Sequence, residues 1–78
     1  MGDRPYEAIG HRIRALREIH GLTQEAFAQR VFVGQSAVSY WETGKKMPGR
    51  GTQHRVADVL RTERSVLFAE IVKRERVA

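Results

Sequence analysis

Between Thr23 and Glu42 two runs of helical apolar spacing are separated by only three residues, Phe32, Val33 and Gly34, which leaves the chain few ways to fold. Phe27, Ala28 and Val31 share one face of the first run. Val38 and Trp41 form a narrow stripe on the second, whose other positions carry Gln35, Ser36, Ser39 and Tyr40. Thr23 is a good N-cap because its hydroxyl can accept from an otherwise unpaired amide, and Glu25 suits the positive end of the helix dipole. Gly34 marks the break. Residues 23–31 and 35–42 therefore read as two short helices around a tight turn, the first held down by apolar contacts and the second polar outward.

The flanking segments are helical too. Ile9, Ile13 and Leu16 recur at helical spacing with Arg12, Arg14, Arg17 and Glu18 between them, so residues 6–20 form an amphipathic helix that Gly21 ends. Thr43 to Gly51 holds three glycines, Pro48 and three cations, and reads as a positively charged loop. A fourth helix is expected from about Thr52, burying Val56, Val59 and Leu60. A fifth is expected from about Ser65, where Val66, Leu67, Phe68, Ile71 and Val72 are too apolar for one ordinary face. There are no repeats and no strand-like alternation. The expected fold is all-α: one compact five-helix domain over residues 1–78, its core at about 6–62, with a C-terminal helix at 65–76 that can serve as a dimerisation element.

Composition removes most other classes. A chain of 78 residues has room for one domain and buries only about 60–65% of its unfolded surface. Without cysteine there is no disulfide, thiolate nucleophile or Cys-bound zinc. His11, His20 and His54 lack the paired spacing of a zinc site, and Ser36, Ser39 and Ser65 lack the glycine context of a hydrolase nucleophile. No enzyme, metal or cofactor is expected. The opening Met-Gly-Asp-Arg-Pro-Tyr has no apolar export core, Tyr6 stands where acylation of Gly2 wants a hydroxyl, and no apolar run approaches the roughly 18 residues of a membrane span. A soluble cytoplasmic protein without a membrane partner is expected.

The net charge of +5 points to a polyanionic partner. Residues 32–56 carry Lys45, Lys46, Arg50 and Arg55 against Glu42 alone, whereas the flanking thirds are nearly balanced. Excess charge thus lies beside the second short helix, whose Gln35, Ser36, Ser39 and Tyr40 face away from the core. That is the arrangement that lays a helix in the DNA major groove. A glutamine amide donates and accepts at once, matching the adenine edge; serine reads less selectively, and tyrosine offers a hydroxyl and an apolar ring. Lys and Arg meet phosphates and set affinity more than sequence.

The runs Ile9 to Glu18, Gly21 to Glu25, and Val38 to Lys45 through Pro48 resemble the phage repressor and Cro (XRE-like) helix-turn-helix family over roughly residues 8–60. The resemblance implies a lambda-repressor-like fold with the helix-turn-helix at about 23–42. It implies base reading by Gln35, Ser36 and Tyr40, with Ser39 between them. Gln24 would touch a phosphate, and Thr43, Lys45 and Lys46 would clamp the DNA backbone with Arg50 in the same loop. Arg17 and Glu42 match a structural ion pair between the first and third helices. The implied role is a Cro-like or repressor-like regulator of a phage or mobile element, prokaryotic and nucleoid-associated, binding operator DNA as a homodimer. A restriction-modification controller also fits, as does an antitoxin that neutralises a toxin partner.

Three positions depart from the family pattern. Phe32 stands where glycine is usual, and a bulky residue at positive φ is strained, which raises the alternative of a different turn. Gly34 replaces the usual Ser or Thr cap, and Gln53 a usual leucine. A slight slip of the third helix and a late start of the fourth are the corresponding expectations.

Overall fold

The computed structural model describes residues 5–77; Gly2, weighed above for acylation, lies outside them. Among these residues the chain forms six helices: α1 (Pro5–Ile19), α2 (Gln24–Arg30), α3 (Gln35–Glu42), α4 (Arg50–Val59), α5 (Arg64–Leu67) and α6 (Ala69–Glu75). The all-α expectation holds, with one correction to the count. The last predicted helix is broken at Phe68, whose backbone leaves the helical region at φ −110 and ψ 39. The break frees the Leu67 carbonyl, which accepts from Nε and Nη2 of Arg12 at 3.2 and 3.0 Å. Arg12 also pairs with Glu70 on α6. A side chain that its sequence context placed in solvent therefore fastens the break to α1.

Ile9 and Ile13 of α1, Phe27 of α2, Val38 and Trp41 of α3, Val56 of α4, and Val31, Leu60, Leu67 and Phe68 at helix ends form the buried core. Tyr6, Leu16, Val59 and Ile71 pack partly against it. The apolar excess of residues 66–72 turns mostly inward: Leu67 and Phe68 are buried, Ile71 and Val72 half-buried, and Val66 is exposed. Gly10 allows α1 and α3 to touch, since a Cβ there would stand 2.5 Å from the Trp41 carbonyl oxygen and 2.6 Å from that of Glu42. The α2–α3 unit is thus seated on α1 through a contact that no larger residue permits.

One motif ends four of these helices. After α1 the amide of Gly21 donates to Glu18 O and that of Leu22 to Arg17 O, with Gly21 at φ 70. The same pair of bonds recurs at Phe32 and Val33 onto Gln29 and Ala28, at Gly44 and Lys45 onto Trp41 and Tyr40, and at Arg61 and Thr62 onto Asp58 and Ala57. This is the Schellman closure, which wants its turning residue left-handed. Phe32, at φ 61, and Arg61, at φ 56, accept that conformation without being glycine. The alternative turn at Phe32 is therefore not adopted: two backbone hydrogen bonds hold the strained residue, its ring lying 78% exposed with the Arg55 guanidinium 5.0 Å from its centroid.

The other two departures are equally well absorbed. Gly34 caps α3 through backbone alone, and α3 keeps the expected register over Gln35–Glu42. Helix α4 starts at Arg50, ahead of the expected Thr52 and not late. Gln53 is buried and bonded at both ends of its amide: Nε2 donates to Pro48 O at 2.9 Å, and Oε1 accepts from Arg64 Nε at 2.8 Å. A leucine there would fill space; the glutamine ties the loop before α4 to α5.

Candidate nucleic-acid interface

Helix α2 begins as its sequence dictates, with the Thr23 hydroxyl accepting from the Ala26 amide at 3.0 Å. The chain then turns at Phe32 and presents α3 with Val38 and Trp41 inward. Its outward side, together with Gln24, makes one shallow groove lined by Gln24, Gln35, Ser36, Ser39 and Tyr40. Gln35 and Ser36 are exposed, Ser39 is half-buried, and Tyr40 is 42% exposed. The four residues named as base-reading candidates are thus adjacent, and the Gln24 side chain joins them.

Gln24, on the groove wall, is backed by a buried ion pair. Arg17 Nε donates to Glu42 Oε2 at 2.6 Å and Nη2 to Oε1 at 3.1 Å, with the side chains 10% and 4% exposed. Arg17 Nη1 also donates to Leu22 O at 2.7 Å, holding the link between α1 and α2. The hydrogen bond to Glu42 raises the Arg17 pKa, outweighing the opposing effect of burial. A bidentate, hydrogen-bonded pair is the form in which buried charge is tolerated.

Glu42 also fixes the polarity of the groove. Its Oε1 accepts from Gln24 Nε2 at 3.0 Å, and Gln24 Oε1 accepts from Gln35 Nε2 at 3.3 Å. A carboxylate only accepts, so the Gln24 amide must turn its nitrogen to Glu42 and its oxygen to Gln35. Gln35 must then point its nitrogen at Gln24, which leaves its Oε1 and its second N–H for a ligand. The side chain offers an acceptor next to a donor, the pattern that matches an adenine edge. The sequence marks each of these residues, but the relay through Glu42 joins residues far apart in the chain and has no local signal.

The basic loop meets the groove residues at Tyr40. Lys46 Nζ sits 5.1 Å from the Tyr40 ring centroid, a cation–π distance, and Lys45 is exposed beside it. The Thr43 hydroxyl donates back to the carbonyls of Ser39 and Tyr40 at 3.1 and 3.2 Å and so caps α3, leaving its lone pairs outward. Arg50 stands apart. It lines a second groove with His54, Arg64 and Glu75, and its Nη2 is 3.7 Å from Glu75 Oε1. Among the histidines, His20 Nε2 is 2.9 Å from Leu60 O and must carry its proton there to donate. Among the described residues no cluster of potential ligands could hold a metal ion, and no helix is long and apolar enough to cross a membrane.

Residues 8–67 match the family described as a helix-turn-helix domain. That span runs from within α1 to the end of α5 and includes every residue that lines the groove and the Arg17–Glu42 pair. The chain belongs to the XRE-like helix-turn-helix DNA-binding family. As a member it is a helix-turn-helix transcriptional regulator. It is 39% identical over 54 residues to the uncharacterized HTH-type transcriptional regulator YazB of Bacillus subtilis strain 168, covering 69% of this chain and 78% of that protein. The restriction-modification controller protein C.AhdI of Aeromonas hydrophila superposes with a TM-score of 0.75 at 28% identity, over 83% of this chain and 97% of that one. The clp gene regulator ClgR of Corynebacterium glutamicum shares the fold, with a TM-score of 0.76 at 22% identity over 94% of this chain and 78% of that one.

Proposed function

We propose that this helix-turn-helix regulator binds a specific operator in double-stranded DNA as a homodimer, with α3 in the major groove. Gln35, Ser36, Ser39 and Tyr40 read base edges; Gln24, Thr43, Lys45, Lys46 and Arg50 meet the phosphate backbone. The observation that carries this reading is the relay from Arg17 through Glu42 and Gln24 to Gln35, which presents a pre-oriented amide on an exposed helix face. A reading side chain held in place before binding gives up less rotamer freedom when it meets a base. Two copies are invoked because one module covers too little DNA for strong discrimination, while half-sites about one helical turn apart multiply it.

Occupying an operator gives a Cro-like or repressor-like role. The likeness to C.AhdI, nearly the whole of which this chain covers, favours a second reading as a controller of restriction-modification genes. Selection of duplexes from a randomised pool tests the proposal. A two-fold symmetric winner bound at least about 10³ more tightly than random DNA is expected. Failure to enrich any sequence overturns it and turns attention to a protein partner, such as a toxin.

A further inference from the structure

The last residue of α6, Glu75, belongs to no sequence motif, yet the structure builds a support for it. Gln53, buried in α4, accepts from Arg64 Nε, and the Arg64 side chain is 9% exposed. Arg64 then donates from Nη1 and Nη2 to the two carboxylate oxygens of Glu75, at 3.1 and 2.5 Å. So fixed, Glu75 holds its Oε1 3.7 Å from Nη2 of Arg50, a side chain otherwise 70% exposed. Arg50 opens α4 directly after the loop that carries Lys45 and Lys46.

We propose that Glu75 sets the DNA affinity of this protein: it occupies Arg50 as an intramolecular substitute for a phosphate, so that Arg50 engages the duplex only by leaving it. The proposal rests on the reading that the loop and the start of α4 meet the DNA backbone. A carboxylate and a phosphate oxygen are the same kind of acceptor for a guanidinium, so the two compete directly. Because Arg64 already balances the charge of Glu75, the hold on Arg50 is weak enough to be reversed by a duplex. The Glu75 carboxyl is held below the usual carboxylate range, chiefly by the Arg64 hydrogen bond, with Arg50 and His54 adding to it. It therefore stays ionised wherever DNA binding is measured, and the competition is always present.

The experiment titrates one selected duplex and one random duplex at several salt concentrations with wild type, E75Q, R50A, the double variant and D58N. Asp58 lines the same groove about two turns further along α4, so D58N controls for the loss of a unit of charge. E75Q is expected to bind both duplexes about two- to fivefold more tightly, the range of an exposed ion pair. The gain should vanish on R50A, and D58N should gain less. An unchanged E75Q, a gain that persists on R50A, or an equal gain from D58N overturns the proposal. Circular dichroism checks the fold of each variant. If E75Q does not fold, Glu75→Asp keeps the charge but draws it back from Arg50, and the same direction of change is expected. If Lys45→Ala weakens binding while R50A does not, the proposal fails and the DNA-binding reading stands. If wild type shows no salt-dependent duplex binding, both fail.

Discussion

The α1–α2–α3 side of the molecule and the α5–α6 side are both tied down by arginine–carboxylate pairs, but the carboxylates differ in exposure. Arg17 and Glu42 are buried, joined by two hydrogen bonds, and bonded further to Leu22 O and to the Gln24 amide. Helix α6 has no fully buried residue, and the pairs that hold it, Arg12–Glu70 and Arg64–Glu75, have carboxylates still 37% and 33% exposed. Buried pairs are costly to break because the surviving charge is stranded; exposed ones contribute little each and respond to solution conditions. The α1–α2–α3 side is thus built for fixed geometry. The C-terminal side is built to yield to pH and salt.

Breaking the buried pair should have the largest effect. Arg17→Ala or Glu42→Ala is expected to destabilise the fold by about 3–5 kcal/mol, measured by denaturant unfolding. A loss under about 1 kcal/mol would mean that the pair is not the keystone of the α1–α2–α3 side. Next in size is Gly10→Ala, which pushes a methyl against two carbonyl oxygens and should cost about 1–3 kcal/mol by the same measurement.

Acid separates the two regions more gently. Glu70 is held below its ordinary value first by the Arg12 hydrogen bond, and Glu75 first by that of Arg64. Carboxylates with lowered values contribute stability that is complete above their unfolded value and lost as the pH falls through the folded one. The C-terminal helices should therefore loosen as the pH falls below the ordinary glutamate range, seen as faster amide exchange in α6 while the amides of α1–α3 stay protected. Simultaneous loss of protection throughout would erase the contrast.

The smallest expected effects come from the left-handed residues. Glycine there removes a penalty of about 1–2 kcal/mol but makes the unfolded chain more flexible by about 0.4–1 kcal/mol. Arg61→Gly should raise stability by under about 1 kcal/mol. Phe32→Gly should gain less, because it gives up the Arg55 contact. Thermal unfolding of the two variants decides the order.

The layout of α1, α2 and α3 was legible in the sequence because its determinants are local. Helical spacing at Phe27, Val31, Val38 and Trp41 sets which side of each helix is buried, and Thr23 and Gly21 set boundaries. What the sequence hides is long-range and polar. Arg12 looks like a solvated helix position, yet it caps α5 across the molecule. Gln53 looks like a flaw in an apolar stripe, yet its amide is satisfied by Pro48 and Arg64. Phe32 looks incompatible with its turn, yet two backbone hydrogen bonds from the Schellman closure hold it. In each case apolar periodicity says where a side chain points, and the partner that completes its hydrogen bonds comes from another helix.

In the proposed function, a relay from the buried ion pair presents Gln35 to base edges. Binding of wild type and Gln35→Ala to the selected duplex and to random DNA, at one salt concentration, tests it most directly. A loss of about 1–3 kcal/mol is expected on the selected duplex and much less on random DNA. An equal loss on both would contradict it, because Gln35 would then be contributing affinity without reading sequence.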